Sequence, residues 1–246
     1  MEIIVCIKRV AATDTTIKIG GNGKSIDPAG VEFEMNPYDE FAVEEALKTK
    51  EAKGEGSVTV ITLGSADAQK ELRACLAMGA DKAVLLNAGD QELDSFNTAK
   101  ILAEHIRSMP HDIVFCGKQA VDGDDSQFPS RLAALLELGC VTEVSSLELN
   151  DGAYVATRDI EGAREVVRCS LPAVISTNKG LNEPRNPNLK GIMAAKKKPL
   201  DTVDATSVAP ATRTASLTLP PERPEGKLFD DVASLVDALK NEAKVL

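Results

Sequence analysis

Aromatic residues are scarce in this sequence: tryptophan is absent, and phenylalanine, tyrosine and tryptophan together make up 3%. This scarcity argues against a platform on which nucleic-acid bases stack. Histidine is nearly as rare, with only His105 and His111 among 246 residues. Histidine-based metal sites and Ser-His-Asp triads are therefore poor interpretations, and we expect no metal site.

Positive charge and long apolar runs are also lacking. The net charge of −10 argues against general nucleic-acid binding, which needs a basic face. No apolar run approaches the roughly 20 residues that span a bilayer, and residues 1–7 lack the features of a signal peptide. The five cysteines are scattered and never in C-x-x-C spacing. We expect a reduced, cytoplasmic environment and no targeting segment.

What is present is the composition of a folded chain with a sizeable core, at 43% hydrophobic and 27% charged residues. Strand-like apolar runs at 2–9, 57–63, 83–86 and 112–116 are each followed by a helical pattern. This alternation predicts a doubly wound, mostly parallel sheet with helices on both faces.

The pattern changes after residue 140. Strand-like segments at 141–149, 154–160 and 165–170 predict a small β excursion, with Asn150-Asp151-Gly152 as a tight-turn signal. Residues 199–226 hold five prolines, which indicates a linker or an arm laid on a partner.

The chain ends in a predicted helix that must dock on its own domain or on another chain. Asp230 is the expected cap, and Val232, Leu235, Val236 and Leu239 form its apolar face.

The strongest local feature is the polar loop at 117–127, between the end of a strand and the start of a helix. Ligands of doubly wound sheets bind at such positions, and a helix N-terminus offers N–H groups to a phosphate. Asp122, Asp124 and Asp125 would repel a phosphate unless they point away or cap backbone N–H groups. Nucleotide binding and a plain polar loop with Asx turns both remain open, because no Walker A or G-x-G-x-x-G motif is present.

Two further features have simple local interpretations. Asn36-Pro37 is typical of a helix start, with Asn as the cap and Pro at the first helical position. Lys196-Lys197-Lys198 is typical of a solvated helix C-terminus, or of a surface that steers an acidic partner. The cysteines are interpreted as small apolar core residues.

Seven short strings, taken together and in order, resemble the beta subunit of electron transfer flavoproteins. They cover the chain from residue 1 to about 200. The strings are Val5–Val10, Met35–Pro37, Ala42–Ala46, Leu76–Asp81, Gly117–Asp122, Leu171–Val174, and a last block of Leu181–Arg185 with Ile192-Met193 and Ala195–Lys198.

The resemblance implies a Rossmann-like, adenine-nucleotide-hydrolase-like domain over 1–195, which includes a recognition loop at 182–195. It also implies a C-terminal arm and helix over 196–246 that pack on a partner alpha subunit. That alpha subunit holds most of an FAD, accepts electrons from dehydrogenases of the acyl-CoA type and passes them to a membrane-bound, quinone-linked oxidoreductase. The chain is then an electron-carrier subunit rather than an enzyme.

The same resemblance implies that this subunit binds AMP structurally. The AMP-contacting residues carried over by position are Cys6, Asn36, Pro37, Tyr38, Asp39, Leu63, Gly117, Lys118, Gln119, Ala120, Val121, Asp122, Gly123, Asp124, Asp125, Ser126, Gln127 and Phe128. Two alternatives stay open. One is a bifurcating form with a second FAD in place of AMP, which Asp122-Gly123-Asp124 resembles. The other is a stand-alone adenine-nucleotide-binding protein.

The recognition loop implies a docking site for dehydrogenases, formed by Leu189, Ile192 and Met193. Leu189 takes the position of a leucine that inserts into a dehydrogenase pocket. Three departures from the family pattern occur: Phe128-Pro129 follows the loop glutamine in place of an early glycine, 11–13 lack the aromatic residue found near the flavin, and Ala194 replaces a lysine.

Overall fold

The computed structural model describes residues 1–89, 91–150, 152–223 and 225–246. The strands are β1 Glu2–Cys6, β2 Arg9–Ala11, β3 Phe33–Met35, β4 Ser57–Gly64, β5 Lys82–Asn87, β6 Ile113–Gly117, β7 Gly139–Asn150, β8 Ala153–Ile160, β9 Ala163–Ser170, β10 Ala173–Thr177 and β11 Leu200–Asp204. The α-helices are α1 Pro37–Lys53, α2 Gln69–Met78, α3 Ser95–Ile106, α4 Phe128–Leu136, α5 Leu189–Ala195 and α6 Val232–Asp237. A short 3-10 helix, Ala66–Ala68, precedes α2, and a π-helix, Ala238–Glu242, follows α6.

Within these residues, one nine-stranded sheet runs in the order β11-β5-β4-β1-β6-β10-β7-β8-β9. Every pair from β11 to β7 is parallel, and the β7-β8-β9 end is antiparallel. Strands β2 and β3 form a separate antiparallel pair. The predicted fold class is thus confirmed: a doubly wound, mostly parallel sheet with a β excursion. The chain leaves β1 toward β4 and β5 and returns to β6 on the other side of β1, which creates a topological switch point.

The sheet is covered on both faces because alternate residues of the buried strands point in opposite directions. Ile3 and Val5 belong to one apolar core, which includes the α1 and α2 residues Val43 and Leu72. Ile4 belongs to a second core formed with α3 and α4. Continuous β-branched runs are what a parallel strand buried on both faces requires.

The strand β11 was not predicted. It lies in the segment interpreted from its prolines as an arm, and it pairs in parallel with β5, from Leu200 beside Ala83 to Asp204 beside Asn87. It forms an edge of the sheet and is mostly exposed. The arm then passes over the α3 side, where Ala205 and Val208 pack against the second core.

The C-terminal helix is present, but the expected cap at Asp230 is wrong. Asp231 caps α6, because its carboxylate accepts a hydrogen bond from Ser234 N at 2.7 Å. The turn expected at Asn150-Asp151-Gly152 includes Asp151, which lies outside the described residues. No helix in the described ranges is both long enough and apolar enough to cross a bilayer.

Candidate functional site

A cavity of about 450 Å³ opens where β1, β4 and β6 end, beside the switch point of the sheet. We call it the switch-point pocket. Its inner wall is formed by residues at those strand ends, Cys6, Leu63 and Cys116. Its size falls in the range of roughly 300–1,000 Å³ that is typical of small-molecule sites. The crevice outside the carboxyl ends of the strands is where ligands of open α/β sheets bind.

The structure brings most of the sequence-predicted cofactor residues to this pocket. Those that line it are Cys6, Asp39, Leu63, Gly117, Gln119, Ala120, Asp122, Gly123, Asp125, Gln127 and Phe128. The remaining ones are close in sequence but do not line it: Asn36, Pro37, Tyr38, Lys118, Val121, Asp124 and Ser126.

Asn36 holds the loop at 117–127 against the start of α1. The predicted helix start is confirmed, with Asn36 at the N-cap position and Pro37 as the first helical residue, but the Asn36 side chain makes no capping hydrogen bond. Instead its Nδ2 donates to Gln119 O at 2.9 Å, and its Oδ1 accepts from Val121 N at 3.1 Å. Asn36 is fully buried, so these two bonds are not exchanged with water.

Asp39 joins three segments of the pocket wall. Its Oδ2 accepts from Lys8 N at 2.7 Å, and its Oδ1 accepts from Gly117 N at 3.0 Å. Burial of the carboxyl group raises the pKa of Asp39 to about 7, although hydrogen bonds, including those from Lys8 and Gly117, lower it in part. The carboxyl group therefore titrates near neutral pH.

Gly117 is a steric requirement of this arrangement. A Cβ atom at this position would collide with Oδ1 of Asp39 and would lie 2.8 Å from the carbonyl carbon of Tyr38. Contacts of side-chain Cβ atoms that short do not occur without a shift of the backbone. Only glycine lets the end of β6 approach the first turn of α1 this closely.

The aspartates of the loop are each bonded within the protein. Asp122 forms an ion pair with Lys8 at 2.7 Å, and Asp124 accepts from Gln119 Nε2 at 2.6 Å. Asp125 accepts from Gln127 N at 3.3 Å. The sequence left open whether these side chains would oppose an anionic ligand. In the structure these carboxylates are bonded to the Lys8 ammonium group, which follows β1, and to N–H groups of the loop itself.

One wall of the pocket contains none of the predicted site residues, because it is built by the start of α3 and the C-terminal arm. Asp94 caps α3 in a capping box with Asn97 and also accepts from Ala211 N and Thr212 N, both at 2.7 Å. Burial acts to raise the pKa of Asp94, but hydrogen bonds from Asn97, Thr212 and Ala211 outweigh it and hold the pKa below its usual value. Aspartate is a common N-cap residue, so the cap of α3 could be predicted from the sequence. The hydrogen bonds from Ala211 and Thr212 to Asp94 could not, because they join residues more than 100 positions apart.

Arg131 and Phe96 complete that wall. The Arg131 guanidinium lies 5.7 Å from the centre of the Phe96 ring. It donates to Gln127 Oε1 through Nε, at 3.0 Å, and through Nη2. Arg131 lies in the first turn of α4, directly after the polar loop. The helical spacing after the loop therefore places Arg131 near the pocket.

The predicted docking residues lie on α5 and are exposed. Leu189 is 75% exposed, Met193 64% and Ile192 45%. The opposite side of this helix is seated on α2, where Gly191 closely approaches Ala77 O and Ala195 is buried. An apolar row at the surface of a helix that is itself anchored is typical of an interaction site.

Both ends of α5 are clamped to the domain. Before it, Arg185 binds Glu44 on α1 through Nε at 2.8 Å and binds Glu51 through Nη2 at 3.0 Å. The Arg185 guanidinium lowers the pKa of Glu51. After it, Arg73 donates to Ala195 O at 2.7 Å, and Lys198 donates to Leu76 O at 3.0 Å. Lys198 therefore anchors the chain rather than facing solvent as its sequence context suggested.

The cysteines divide into two groups. Cys6, Cys75 and Cys116 are buried core residues as expected, and burial raises the pKa of each thiol well above its usual value. The expectation is wrong for Cys140, which is exposed, and Cys169 is partly exposed.

The fold and the pocket define a doubly wound α/β protein with a ligand-sized cavity at its switch point. A family model described as electron transfer flavoprotein domain matches residues 24–208. The chain is 40% identical to the electron transfer flavoprotein subunit beta of Bacillus subtilis and 38% identical to that of Bradyrhizobium diazoefficiens. Each comparison covers the full length of both sequences. It is 36% identical, again over both full lengths, to the mitochondrial subunit beta of Oryza sativa subsp. indica. The chain belongs to the electron transfer flavoprotein family, as a member of its beta subunits, which confirms the resemblance found from the sequence.

Proposed function

We propose that this chain is the beta subunit of a heterodimeric electron transfer flavoprotein, with a structural AMP in the switch-point pocket. Membership of the family carries the electron-transfer role. The observation that carries the finer proposal is the juxtaposition of two features on one domain: a ligand-sized pocket at the switch point and an anchored, apolar, exposed helix.

The residues of the pocket fit an adenine mononucleotide. Leu63, Leu102 and Phe128 offer apolar surface of the kind that an adenine ring requires, and the loop from Gly117 to Gln127 offers polar groups to a ribose and a phosphate. The volume of about 450 Å³ is in the range of sites that hold a small molecule such as an adenine mononucleotide. Bound AMP would stabilise the folded chain by mass action and would supply no redox chemistry.

The exposed apolar side chains of the C-terminal arm favour the presence of a partner chain. Beyond the edge strand β11, it exposes large apolar side chains, among them Leu228 at 96%, Val232 at 76% and Leu219 at 63%. We infer that a partner chain covers these side chains, because large exposed apolar surface marks a protein–protein contact. We propose that 1–195 is the nucleotide-binding domain and that 196–246, whose first strand completes the sheet edge, continues as an arm that packs on the alpha subunit.

We propose that α5, which we call the docking helix, is the contact site of a dehydrogenase partner. We infer that Leu189 enters an apolar pocket of a flavin dehydrogenase of the acyl-CoA type, with Ile192 and Met193 beside it. A few apolar anchors carry most of the binding energy of an interface. The FAD held mainly by the alpha subunit then accepts electrons and passes them to a membrane-bound, quinone-linked oxidoreductase. In this proposal the chain works in the cytoplasm as an electron carrier, without bond chemistry of its own.

Co-purification with the alpha subunit, followed by acid release of bound cofactors, tests the proposal. We expect one FAD and one AMP per heterodimer, measured by flavin absorbance and by chromatography of the released nucleotide. Two FAD and no AMP would replace the AMP proposal by the bifurcating form. Failure to form a flavin-containing heterodimer would contradict the proposed subunit role and favour a stand-alone nucleotide-binding protein.

A further inference from the structure

The wall of the switch-point pocket is rich in acidic groups, which is unusual for a site that holds a phosphate. Among the described residues, its charged members are the carboxyl groups of Asp39, Asp94, Asp122 and Asp125 and the cationic groups of Lys8 and Arg131. An anionic ligand gains from such a wall only where a cationic group is free to meet it.

Lys8 is not free to do so. Its Nζ lies 2.8 Å from Oδ1 and 2.7 Å from Oδ2 of Asp122, so its charge is matched by a neighbouring carboxylate. Arg131 differs, because its protein partner is the neutral amide oxygen of Gln127. Within the part of the chain that the structure describes, no carboxylate forms an ion pair with the Arg131 guanidinium. Arg131 is therefore the uncompensated cation of the pocket wall.

The N-terminus of α4 makes such a cation useful. Helix starts bind phosphate through free backbone N–H groups, but Pro129 in the first turn of α4 has none. Gln127 N is already bonded to Asp125. The backbone at this helix start thus offers fewer donors than usual, and a guanidinium can replace the missing ones with two parallel donors.

We propose that Arg131 is the phosphate-binding, charge-selecting residue of the switch-point pocket. Its guanidinium, held by Gln127 and placed beside the Phe96 ring, binds the phosphate of an adenylate group, whether this is the monophosphate of AMP or the diphosphate of FAD. This inference rests on the proposed function, because it requires an adenine nucleotide in the pocket. The site then selects nucleotides over nucleosides through one side chain rather than through the helix N-terminus alone.

The test is a calorimetric titration of the full-length, nucleotide-free chain with AMP, adenosine and FAD separately. Arg131→Gln is expected to weaken AMP binding roughly 10- to 100-fold, as the loss of a charge-assisted hydrogen bond implies, and to leave adenosine binding unchanged. Arg131→Lys, which keeps the charge without the bidentate geometry, should recover part of the loss. Comparison of AMP with FAD identifies which of the two phosphate sources the pocket accepts.

Arg164→Gln is the matched control, because Arg164 is an exposed arginine on β9, far along the sheet, that pairs with Asp159. It should leave all three affinities unchanged. If Arg131→Gln binds AMP as tightly as the unchanged chain, or if it weakens AMP and adenosine equally, the assignment of Arg131 is overturned while nucleotide binding stands. If the unchanged chain binds none of the three compounds, the proposed nucleotide in the switch-point pocket is wrong, whereas the subunit role is tested separately by heterodimer formation.

Discussion

Asp94 and Thr212 are joined by two hydrogen bonds to a single carboxylate oxygen. Oδ2 of Asp94 accepts from Thr212 N at 2.7 Å and from Thr212 Oγ1 at 3.1 Å. The same side chain caps α3 through its other oxygen, which accepts from Asn97 N at 2.8 Å. One carboxylate thus fixes both the start of a core helix and the segment of the arm that closes the switch-point pocket.

Asp94→Ala is expected to lower the free energy of unfolding by about 1–3 kcal/mol, because it removes a helix cap and leaves two arm N–H groups without their acceptor. The arm near Thr212 should also become more sensitive to limited proteolysis. Thr212→Val is the control that removes only the hydroxyl contact, and it should have a smaller effect on both measurements. An arm as resistant in Asp94→Ala as in the unchanged chain would show that this contact does not hold it.

The bonds to Asp94 should fail in acid. The folded-state pKa of this carboxyl group lies below its usual value, so its contribution is present above the unfolded-state pKa and is lost as the pH falls through the folded one. Hydrogen exchange of the Ala211 and Thr212 amides, corrected for the pH dependence of the intrinsic exchange rate, should therefore show less protection as the pH falls. In Asp94→Ala the protection of these amides should already be low at neutral pH and should change less with acidification.

Asp39 should impose a pH dependence of the opposite sign. Because burial raises its pKa to about 7, its contribution to stability is fully present below the unfolded-state pKa and is lost as the pH rises through about 7. Urea unfolding of the unchanged chain and of Asp39→Asn between pH 4.5 and pH 8 measures the contribution of Asp39 to the free energy of unfolding. We expect the unchanged chain to lose stability relative to Asp39→Asn as the pH rises, and parallel curves would contradict the assignment.

Gly117→Ala should disrupt the pocket, because its methyl group has no room between the Asp39 carboxylate and the backbone of Tyr38. Forced overpacking of this kind costs about 1–3 kcal/mol or more, and we expect loss of bound nucleotide from the purified protein. Gly21→Ala is the control outside the pocket, since a Cβ at Gly21 meets no atom within 4 Å and Gly21 does not line the pocket. Equal nucleotide content in both variants would refute the steric explanation.

Leu189→Ala tests the docking helix without touching the pocket. Its side chain is 75% exposed, so the substitution should change the free energy of unfolding by less than about 0.5 kcal/mol. If Leu189 is an interface anchor, the affinity for a dehydrogenase partner should fall by about 1–2 kcal/mol or more, measured by surface plasmon resonance with the heterodimer. Lys190→Ala, at the next position on the same helix, controls for a general effect of substitution there.

The parallel core could be predicted from the sequence because its strands are buried on both faces and read as continuous β-branched runs. Strand β11 could not, since Asp201 and Asp204 break any apolar period and only the partner strand β5 gives the segment its structure. The contacts of Asn36 and Asp94 were missed for a related reason. Each residue is a good local helix-capping type, and its decisive partners, Val121 and Thr212, lie far away in the chain.

The contacts that hold both ends of α5 have a consequence for the recognition that we propose for this helix. Arg185 fixes the chain before α5 to α1, and Lys198 and Arg73 fix the chain after it to α2. A surface element that is already ordered loses little conformational entropy when a partner covers it, so more of the contact energy appears as affinity. A partner protein then binds α5 without a folding step in this helix. The association rate is therefore set by the orientation and charge of the two surfaces.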